Sequence, residues 1–211
     1  MTGRPPPPGT LAGAYGPSST EETRAFYEGW ADGYEADTLG EGFRVPLLAS
    51  AFLARHAPPD AGPVLDAACG TGLVGDALRL LGYAPLAGCD LSPAMLARAR
   101  ARGVYDALAE ANLTALPYGA DAFATTACAG AFGPGHAPPA ALGELVRVTR
   151  PGGVVAFNVR ADTWQDQGFA AAIDDLSQHG AWREVDRSPT FPVYLLNDLD
   201  LSAILFVFRI A

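Results

Sequence analysis

The segment VLDAACGTGLVG, residues 64–75, constrains the fold of this chain more than any other stretch. Its first residues form the apolar end of a predicted buried strand, and Gly70 and Gly72 let the backbone approach a ligand with no Cβ in the way. From Leu73 onward the pattern predicts a helix whose first N–H groups point back at that ligand. The segment therefore predicts a nucleotide-binding turn between a strand and a helix.

Two cofactors fit such a turn. Residues 70–75 satisfy the dinucleotide pattern G-x-G-x-x-G, and Asp90 follows Gly70 at the spacing of about 20 residues that is typical of NAD enzymes. Asp66 stands just before the turn, where its carboxylate would repel a pyrophosphate and attract a ligand that carries an ammonium group. S-adenosylmethionine carries such a group, so the residues favour it and NAD stays an alternative.

The size and charge of the chain limit what this turn can belong to. A length of 211 residues predicts one domain with a full hydrophobic core. The net charge of -9 disfavours nucleic acid as a partner, because a phosphate backbone attracts basic surfaces. No apolar run reaches the roughly 18 residues of a membrane span, and none follows Arg4 as in a signal peptide, so we expect a cytoplasmic protein without membrane contact.

The three cysteines, Cys69, Cys89 and Cys128, lie at or near the ends of predicted strands. Their spacing matches no zinc motif, and their number is odd. We therefore predict reduced structural thiols and no metal site.

The N-terminal part of the chain divides into a lead and a helical segment. Residues 1–19 are rich in proline and glycine and predict a flexible lead. From residue 20 to its end the chain predicts a single domain, in which residues 20–57 form a helical lid and residues 63–211 a cofactor-binding sheet. The first helix of the lid is predicted to start at Ser19 or Thr20. Aromatic side chains cluster on one side of it: Phe26, Tyr27, Trp30 and Tyr34.

From residue 63 onward, strands and helices alternate, which predicts a parallel sheet with helices on both faces. The predicted strands after the first are residues 85–89, 104–109, 122–129, a segment after residue 153, 182–187 and 201–210, and the predicted helices include 44–56, 73–81, 139–148 and 162–178. Asp90 follows the second strand, where ligands bind in such a sheet, and Ser92 caps the next helix, with Pro93 at its first position. The last strand is continuously apolar over residues 203–208 and should therefore lie inside the sheet.

The glycine turn resembles motif I of the class I S-adenosylmethionine-dependent methyltransferases. That motif is usually written D-x-G-x-G-x-G, and it is filled here by Asp66, Ala68, Gly70 and Gly72, with alanine in place of the first glycine. More narrowly, residues 68–75 together with Gly135-His136 resemble the methyltransferase-like proteins of the Williams-Beuren-region type.

Four further segments carry the resemblance along the chain. Residues 27–35 resemble the Y-D-x-W-A-x-x-Y-D segment that closes over the cofactor in many small-molecule methyltransferases. Residues 90–96 resemble the family's D-x-S-x-x-M-L sequence, and residues 112–117 its D-A-x-x-L-P segment, with Asn112 in place of the aspartate. Residues 150–153 resemble the L-(K/R)-P-G-G turn that leads into the fifth strand. The order and spacing of these segments are specific to this family.

The resemblance implies a fold and a cofactor site. The implied fold is a doubly wound, Rossmann-like α/β fold with a seven-stranded, mostly parallel sheet, an antiparallel last strand and helices on both faces. Asp90 would accept hydrogen bonds from both ribose hydroxyls, and Leu91 and Met95 would line the adenine. Asn112 would accept from the adenine amino group through its amide oxygen. The cofactor-binding residues that follow from the resemblance are Tyr27, Trp30, Asp66, Ala68, Cys69, Gly70, Gly72, Asp90, Leu91, Met95, Asn112, Leu113 and Gly130.

The resemblance also implies a reaction, the in-line transfer of a methyl group from S-adenosylmethionine to oxygen or nitrogen of a small organic molecule. His136 is the catalytic candidate because it could take a proton near neutral pH, and a local structural hydrogen bond is the alternative. A monomer or homodimer without nucleic-acid partners is expected. Two other functions stay open: a non-catalytic binding module of the same fold and an NAD-binding oxidoreductase. The binding module is favoured by the departures at Ala68 and Asn112 and by Ala124, which stands where the family normally has aspartate after Phe123.

Overall fold

The computed structural model describes residues 11–196 and 200–211, and within them the chain forms seven α-helices and eight strands. The helices are α1 (Thr20–Trp30), α2 (Tyr34–Gly40), α3 (Val45–Ala54), α4 (Leu73–Leu80), α5 (Pro93–Arg102), α6 (Ala141–Val148) and α7 (Phe169–Gln178). The strands are β1 (Val64–Ala67), β2 (Leu86–Asp90), β3 (Ala107–Glu110), β4 (Phe123–Phe132), β5 (Thr149–Arg160), β6 (Trp182–Arg187), β7 (Phe191–Pro192) and β8 (Ser202–Ile210).

The strands form one sheet in the order β3-β2-β1-β4-β5-β8-β6, with β7 paired to β8. Strands β1 to β5 run parallel to one another, and β8 runs antiparallel to both β5 and β6. The predicted doubly wound, mostly parallel sheet is confirmed, and so is the position of the apolar last strand inside it. The two-residue strand β7 brings the described strands to eight, one more than expected.

Successive residues of the central strands face different helices, because side chains alternate across a strand. Phe157 of β5 and Phe206 of β8 lie with ring centroids 5.6 Å apart in the core that α6 and α7 cover. Their neighbours Ala156 and Val207 lie in the opposite core, which α3 and α4 cover. Both faces of these strands are therefore buried, which explains why their sequences are continuously apolar.

The predicted lid of residues 20–57 is too long. Helix α3 packs against α4, β4 and β5, and its Ala49 and Leu53 are fully buried. Because these two apolar side chains are shielded from solvent, α3 belongs to the core of the domain. The lid, as the term is used below, consists of α1 and α2 alone.

The helix starts were predicted with mixed success. The N–H of Glu22 donates to Ser19 Oγ at the start of α1, and that of Met95 donates to Ser92 Oγ at the start of α5, each at 3.2 Å. Both predicted caps are confirmed. The helix predicted over residues 162–178 begins only at Phe169. The preceding residues form turns, and Gly168 has a φ of +80°, outside the right-handed helical region.

The predicted flexible lead, residues 1–19, lies partly outside the described residues. In its described part, Leu11–Tyr15 forms a 3-10 turn in which Ala14 is 3% exposed. Leu11 packs against the apolar cluster that contains Val45 and Val193. Leu11 and Ala14 are therefore packed onto the domain, contrary to the prediction, because these two apolar side chains are covered by it.

No described helix is both long and apolar enough to cross a lipid bilayer. Among the described residues, no group of three His, Cys, Asp or Glu side chains could hold a metal ion. The three cysteines are buried and form no disulfide, and burial raises the pKa of the Cys89 thiol to about 12. Such thiols stay protonated near neutral pH.

Candidate active site

A large cavity opens at the carboxyl ends of β1, β2 and β4, under the lid. Its volume is about 850 Å³ with its open mouth included, which is in the range of small-molecule sites. The following predicted site residues line it: Tyr27, Ala68, Gly70, Asp90, Leu91, Met95, Asn112, Leu113, Gly130 and His136. We call it the cofactor cavity.

Some residues of the cofactor cavity were missed at the sequence level. Thr20, Thr23 and Arg24 line it together with Tyr27. They lie on α1 at spacings of three and four residues, so they share one helical face with Tyr27. Helical periodicity counted backwards from Tyr27 would have found them.

The glycine turn after β1 has a left-handed backbone that leaves room for a ligand. Ala68 and Gly70 have φ values of +58° and +54°. A Cβ added at Gly70 would meet no atom within 4 Å, so the turn presents bare backbone to open space. Ala68 holds the same kind of conformation at a strain cost of roughly 1–2 kcal/mol, which glycine in the family's motif avoids.

Asp90 joins this turn to the start of α5. Its Oδ2 accepts from the N–H of Gly70 at 2.8 Å, and its Oδ1 accepts from the N–H of Ser92 at 3.0 Å. Burial raises the pKa of Asp90, and these backbone donors act in the opposite direction. A carboxylate oxygen has lone pairs for more than one donor, so Asp90 can still accept from ligand hydroxyls in the cavity. The bare turn and this carboxylate fit an adenosyl cofactor.

Asp66 differs from its predicted role. The side chain is fully buried and lies outside the described wall of the cofactor cavity. Its Oδ2 accepts from the hydroxyl of Tyr105 at 2.6 Å, and Oδ1 has no hydrogen-bond partner among the described residues. Burial raises the pKa of Asp66 to about 7. The carboxylate therefore lies behind the turn, and its attraction for a ligand ammonium group stays a prediction.

Three other predicted residues also lie outside the described cavity wall. Cys69 is buried against Leu96 of α5. Gly72 is covered by Arg102, whose Cδ would lie 2.8 Å from an added Cβ. Trp30 is 2% exposed and donates through Nε1 to Asp37 at 2.7 Å, within the lid. Cys69 and Gly72 therefore lie behind the glycine turn, and Trp30 lies inside the lid.

Asn112 lines the cofactor cavity, but its amide oxygen is already engaged. Oδ1 accepts from the N–H and from the hydroxyl of Thr114, at 3.0 and 2.9 Å. A third donor at the same oxygen is unfavourable, because a carbonyl oxygen has two lone pairs. The predicted acceptance from an adenine amino group is therefore corrected: Asn112 can offer its NH₂ group instead.

Tyr27 and His136 form a hydrogen-bonded pair at the cavity wall. The hydroxyl of Tyr27 lies 2.7 Å from His136 Nε2, and His136 Nδ1 lies 2.7 Å from the carbonyl oxygen of Pro134. A carbonyl can only accept, so Nδ1 carries the proton and Nε2 accepts from Tyr27. Burial lowers the pKa of His136, the Pro134 carbonyl opposes this, and the Arg160 charge lowers it further. The imidazole is therefore neutral at neutral pH.

A second cavity adjoins the cofactor cavity. Its volume is about 520 Å³ with its mouth included. Tyr27, Tyr34, Gly130 and His136 border both cavities, so the Tyr27–His136 pair lies in their shared wall. Asn158 of β5 also borders the second cavity, and its Oδ1 accepts from the N–H of Gly130 at 2.7 Å.

Sequence and structure comparisons both find relatives of this chain. Residues 65–157 match the family profile of the methyltransferase domain. Over 176 residues the chain is 37% identical to methyltransferase-like protein 27 of Homo sapiens, covering 80% of this chain and 71% of that protein. Over 123 residues it is 38% identical to the malonyl-[acyl-carrier protein] O-methyltransferase of Pectobacterium atrosepticum, covering 58% of this chain and 44% of that protein.

Among solved structures, a SAM-dependent methyltransferase of Thermotoga maritima, described as a possible histamine N-methyltransferase, superposes with a TM-score of 0.63. The two chains are 16% identical, and the match covers 88% of this chain and 98% of the other. At this identity the match bears on the fold alone.

Proposed function

This chain belongs to the S-adenosylmethionine-dependent methyltransferases, and we propose that it moves a methyl group to oxygen or nitrogen of a small organic molecule. The observation that carries the proposal is the wall shared by two cavities. One cavity has the residues expected for the cofactor, and the other lies across the Tyr27–His136 pair. Two sites with a proton-accepting group between them suit a transfer between two bound molecules.

The cofactor cavity offers contacts for each part of an adenosyl ligand. Asp90 is proposed to accept from the ribose hydroxyls, and the apolar Leu91 and Met95 to pack against the adenine. The bare backbone at Gly70 lets the ligand approach the turn closely. When bound, S-adenosylmethionine supplies an electrophilic methyl group on a positively charged sulfur atom.

The residues of the chain would act by position and by proton acceptance. The lid and the shared wall hold the acceptor in place and exclude water, which removes much of the entropic cost of the transfer. His136 is proposed to act as the base by way of Tyr27: the Tyr27 hydroxyl passes its proton to His136 Nε2 and takes the proton that the acceptor loses. Tyr27 orients this nitrogen toward the shared wall.

The proposal is tested by S-adenosylhomocysteine release in a screen of small-molecule acceptors, followed by pH profiles of wild type and His136→Ala. The pKa of His136 lies below its usual 6.5, so the base form persists as the pH falls to that value. Wild-type kcat/KM should therefore stay level at pH 6.5 and fall only at lower pH. The His136→Ala protein should lose about 100-fold or more in rate and lose this pH dependence.

His179→Ala is the matched control, since His179 is an exposed histidine paired with Asp175 on α7. It should leave the rate unchanged. A loss of no more than about threefold in His136→Ala would mean that transfer depends on positioning alone, because base removal typically costs far more. Absence of S-adenosylhomocysteine release with every acceptor would contradict the proposed function itself.

A further inference from the structure

We propose that Asn158 is a positioning residue for the methyl transfer, because its side chain holds the strand bulge that anchors the loop bearing His136. This role rests on the proposed methyl transfer and adds a residue to that same site. The starting point is an irregularity in the pairing of β4 with β5.

The parallel ladder between β4 and β5 is interrupted where β4 reaches the cavities. Its register shifts between Cys128 and Phe132, so that residues 129–131 of β4 lie opposite the single residue Asn158 of β5. A bulge of this kind bends the strand and re-aims its residues. All three bulge residues line the cofactor cavity, and Gly130 also borders the second cavity. The bulge therefore forms part of the wall that the two cavities share.

Asn158 supplies a hydrogen-bond acceptor at the middle of this bulge. Its side chain is buried, and its Oδ1 accepts from the backbone N–H of Gly130 at 2.7 Å. An N–H group needs an acceptor, so the amide oxygen is the atom that faces Gly130. Gly130 has a φ of +77°, and a glycine leaves this left-handed conformation as readily as it adopts it. The contact with Asn158 therefore fixes a backbone that the glycine itself leaves free.

The bulge is joined in turn to the loop that carries His136. The carbonyl oxygen of Ala131 accepts from the N–H of Ala137 at 3.0 Å. Ala137 directly follows His136, whose Nε2 lies 2.7 Å from the hydroxyl of Tyr27. One hydrogen bond thus holds the bulge on β5, and the next holds the loop on the bulge. A displacement of about 1 Å at a reacting group can cost about 100-fold in rate, so a loosened bulge should slow the transfer.

Hydrogen exchange measured by NMR tests whether Asn158 holds the loop, and it needs neither cofactor nor turnover. Asn158→Leu keeps a similar volume and removes the oxygen, and Asn158→Ala removes it without adding bulk. Asn158→Asp keeps an oxygen for the Gly130 N–H in either protonation state. Exchange at the Ala137 amide should speed up at least about tenfold in the first two proteins and much less in the third. Unchanged exchange at Ala137 in folded Asn158→Leu or Asn158→Ala protein would overturn the proposal.

Ser188→Ala is the matched control. Ser188 Oγ accepts from the backbone N–H of Leu205 in β8 at 2.9 Å, so this variant also removes a buried side-chain oxygen from a strand N–H. Ser188 lies outside the described walls of both cavities. The variant should lower the melting temperature and leave both the exchange at Ala137 and the rate of transfer unchanged. If Asn158→Leu likewise lowers only the melting temperature, Asn158 has a structural role alone and the proposal is wrong.

The kinetics of S-adenosylhomocysteine release test the link from Asn158 to His136. With the acceptor found in the screen, kcat should fall about tenfold or more in Asn158→Leu, and Asn158→Asp should recover most of this loss. In a His136→Ala background, Asn158→Leu should cost no more than about threefold, because both changes disable the same group. Independent effects that multiply in the double variant would overturn the link to His136. An equal loss of kcat in Asn158→Asp and Asn158→Leu would show that the oxygen is not what matters.

Cofactor binding and turnover of wild type distinguish the two levels of the account. If wild type binds S-adenosylmethionine and folded Asn158→Leu protein methylates the acceptor at the wild-type rate, the role of Asn158 is wrong and the proposed function stands. If wild type binds neither S-adenosylmethionine nor S-adenosylhomocysteine, the proposed function fails, and the role of Asn158 in transfer fails with it.

Discussion

Among single residues, Tyr105 explains two glycines, Gly75 at the end of the dinucleotide pattern and Gly88 of β2. A Cβ at Gly75 would lie 2.3 Å from the Tyr105 ring, and one at Gly88 would lie 2.8 Å from it. The third glycine of the dinucleotide pattern therefore makes room for Tyr105. The NAD interpretation loses its support at this position, in agreement with the family of the chain.

The buried Asp66 carboxylate should make stability depend on pH. Its pKa is raised from 3.8 to about 7, so the folded state binds this proton more tightly than the unfolded state. The contribution of Asp66 to stability is then greatest at low pH and falls as the pH rises from about 4 to about 7. Urea unfolding at several pH values should show the free energy of unfolding of Asp66→Asn rising relative to that of wild type between roughly pH 4 and pH 7. Above this range the difference between the two proteins should stay constant.

Asp106→Asn is the control of opposite sign. Asp106 accepts from the Leu86 N–H and from Arg79, and these contacts lower its pKa. The contribution of Asp106 to stability is present above the unfolded pKa of 3.8 and is lost at lower pH. Asp106→Asn should therefore be less stable than wild type near neutral pH. Parallel pH profiles for wild type and Asp66→Asn would show that Asp66 is an ordinary carboxylate.

How far single residues were predictable depended on the distance of their partners along the chain. Ser19 and Ser92 cap helices through N–H groups three residues away, which local patterns contain. Tyr105 meets Asp66 across 39 residues, and Asn158 meets Gly130 across 28. Neither contact has a local signal, so the burial of Asp66 and of Asn158 appeared only once the chain was folded.

At the scale of elements, the lid is held by polar contacts at its surface and by aromatic packing beneath. Thr23 donates to the carbonyl of Gly135 at 2.6 Å, and Arg24 pairs with Glu110 at 2.9 Å. Exposed ion pairs contribute about 0–1 kcal/mol each. The buried ring of Trp30, which contacts Phe26 and Tyr34, has the larger share in holding the lid.

Trp30→Ala should therefore loosen the lid without unfolding the sheet. Removing a buried tryptophan costs about 3–5 kcal/mol, and here the loss falls on α1 and α2. Hydrogen exchange should speed up at least about tenfold in these helices and stay unchanged in β4 and β5. Arg98→Ala, which breaks the exposed pair with Asp32, is the control and should change exchange only slightly. Equal protection of the lid in Trp30→Ala and wild type would contradict this account.

The elements that were predicted incorrectly depend on contacts that the local pattern does not contain. Trp164 suited the apolar side of the helix predicted over residues 162–178, yet Thr163 donates to the carbonyl of Arg160 and Gly168 has a left-handed backbone. The strand β7 has two residues and exists only as a partner of β8. Apolar periodicity, by contrast, was sufficient for β8, whose central residues are buried on both faces.

For the whole molecule, the site follows from the topology of the sheet. β1 lies between β2 and β4, so the connections after β1 and β4 leave toward opposite sides and open a crevice at their carboxyl ends. The glycine turn, Asp90 and the lid meet at that crevice. The sequence motifs placed a site at this crevice, but they did not include Thr20, Thr23 and Arg24 of its wall. The second cavity was not predictable in detail, because its walls come from α1, the β4–α6 loop, β5 and residues near β7.

Calorimetric titration with S-adenosylmethionine and with NADH, on wild type and Asp90→Ala, tests the central claim most directly. Wild type should bind S-adenosylmethionine and not NADH. Asp90→Ala should remain folded by its melting curve and lose about 2–4 kcal/mol of binding free energy, because charge-assisted hydrogen bonds to two hydroxyls are removed. Binding of NADH alone, or an unchanged S-adenosylmethionine affinity in folded Asp90→Ala protein, would contradict the account.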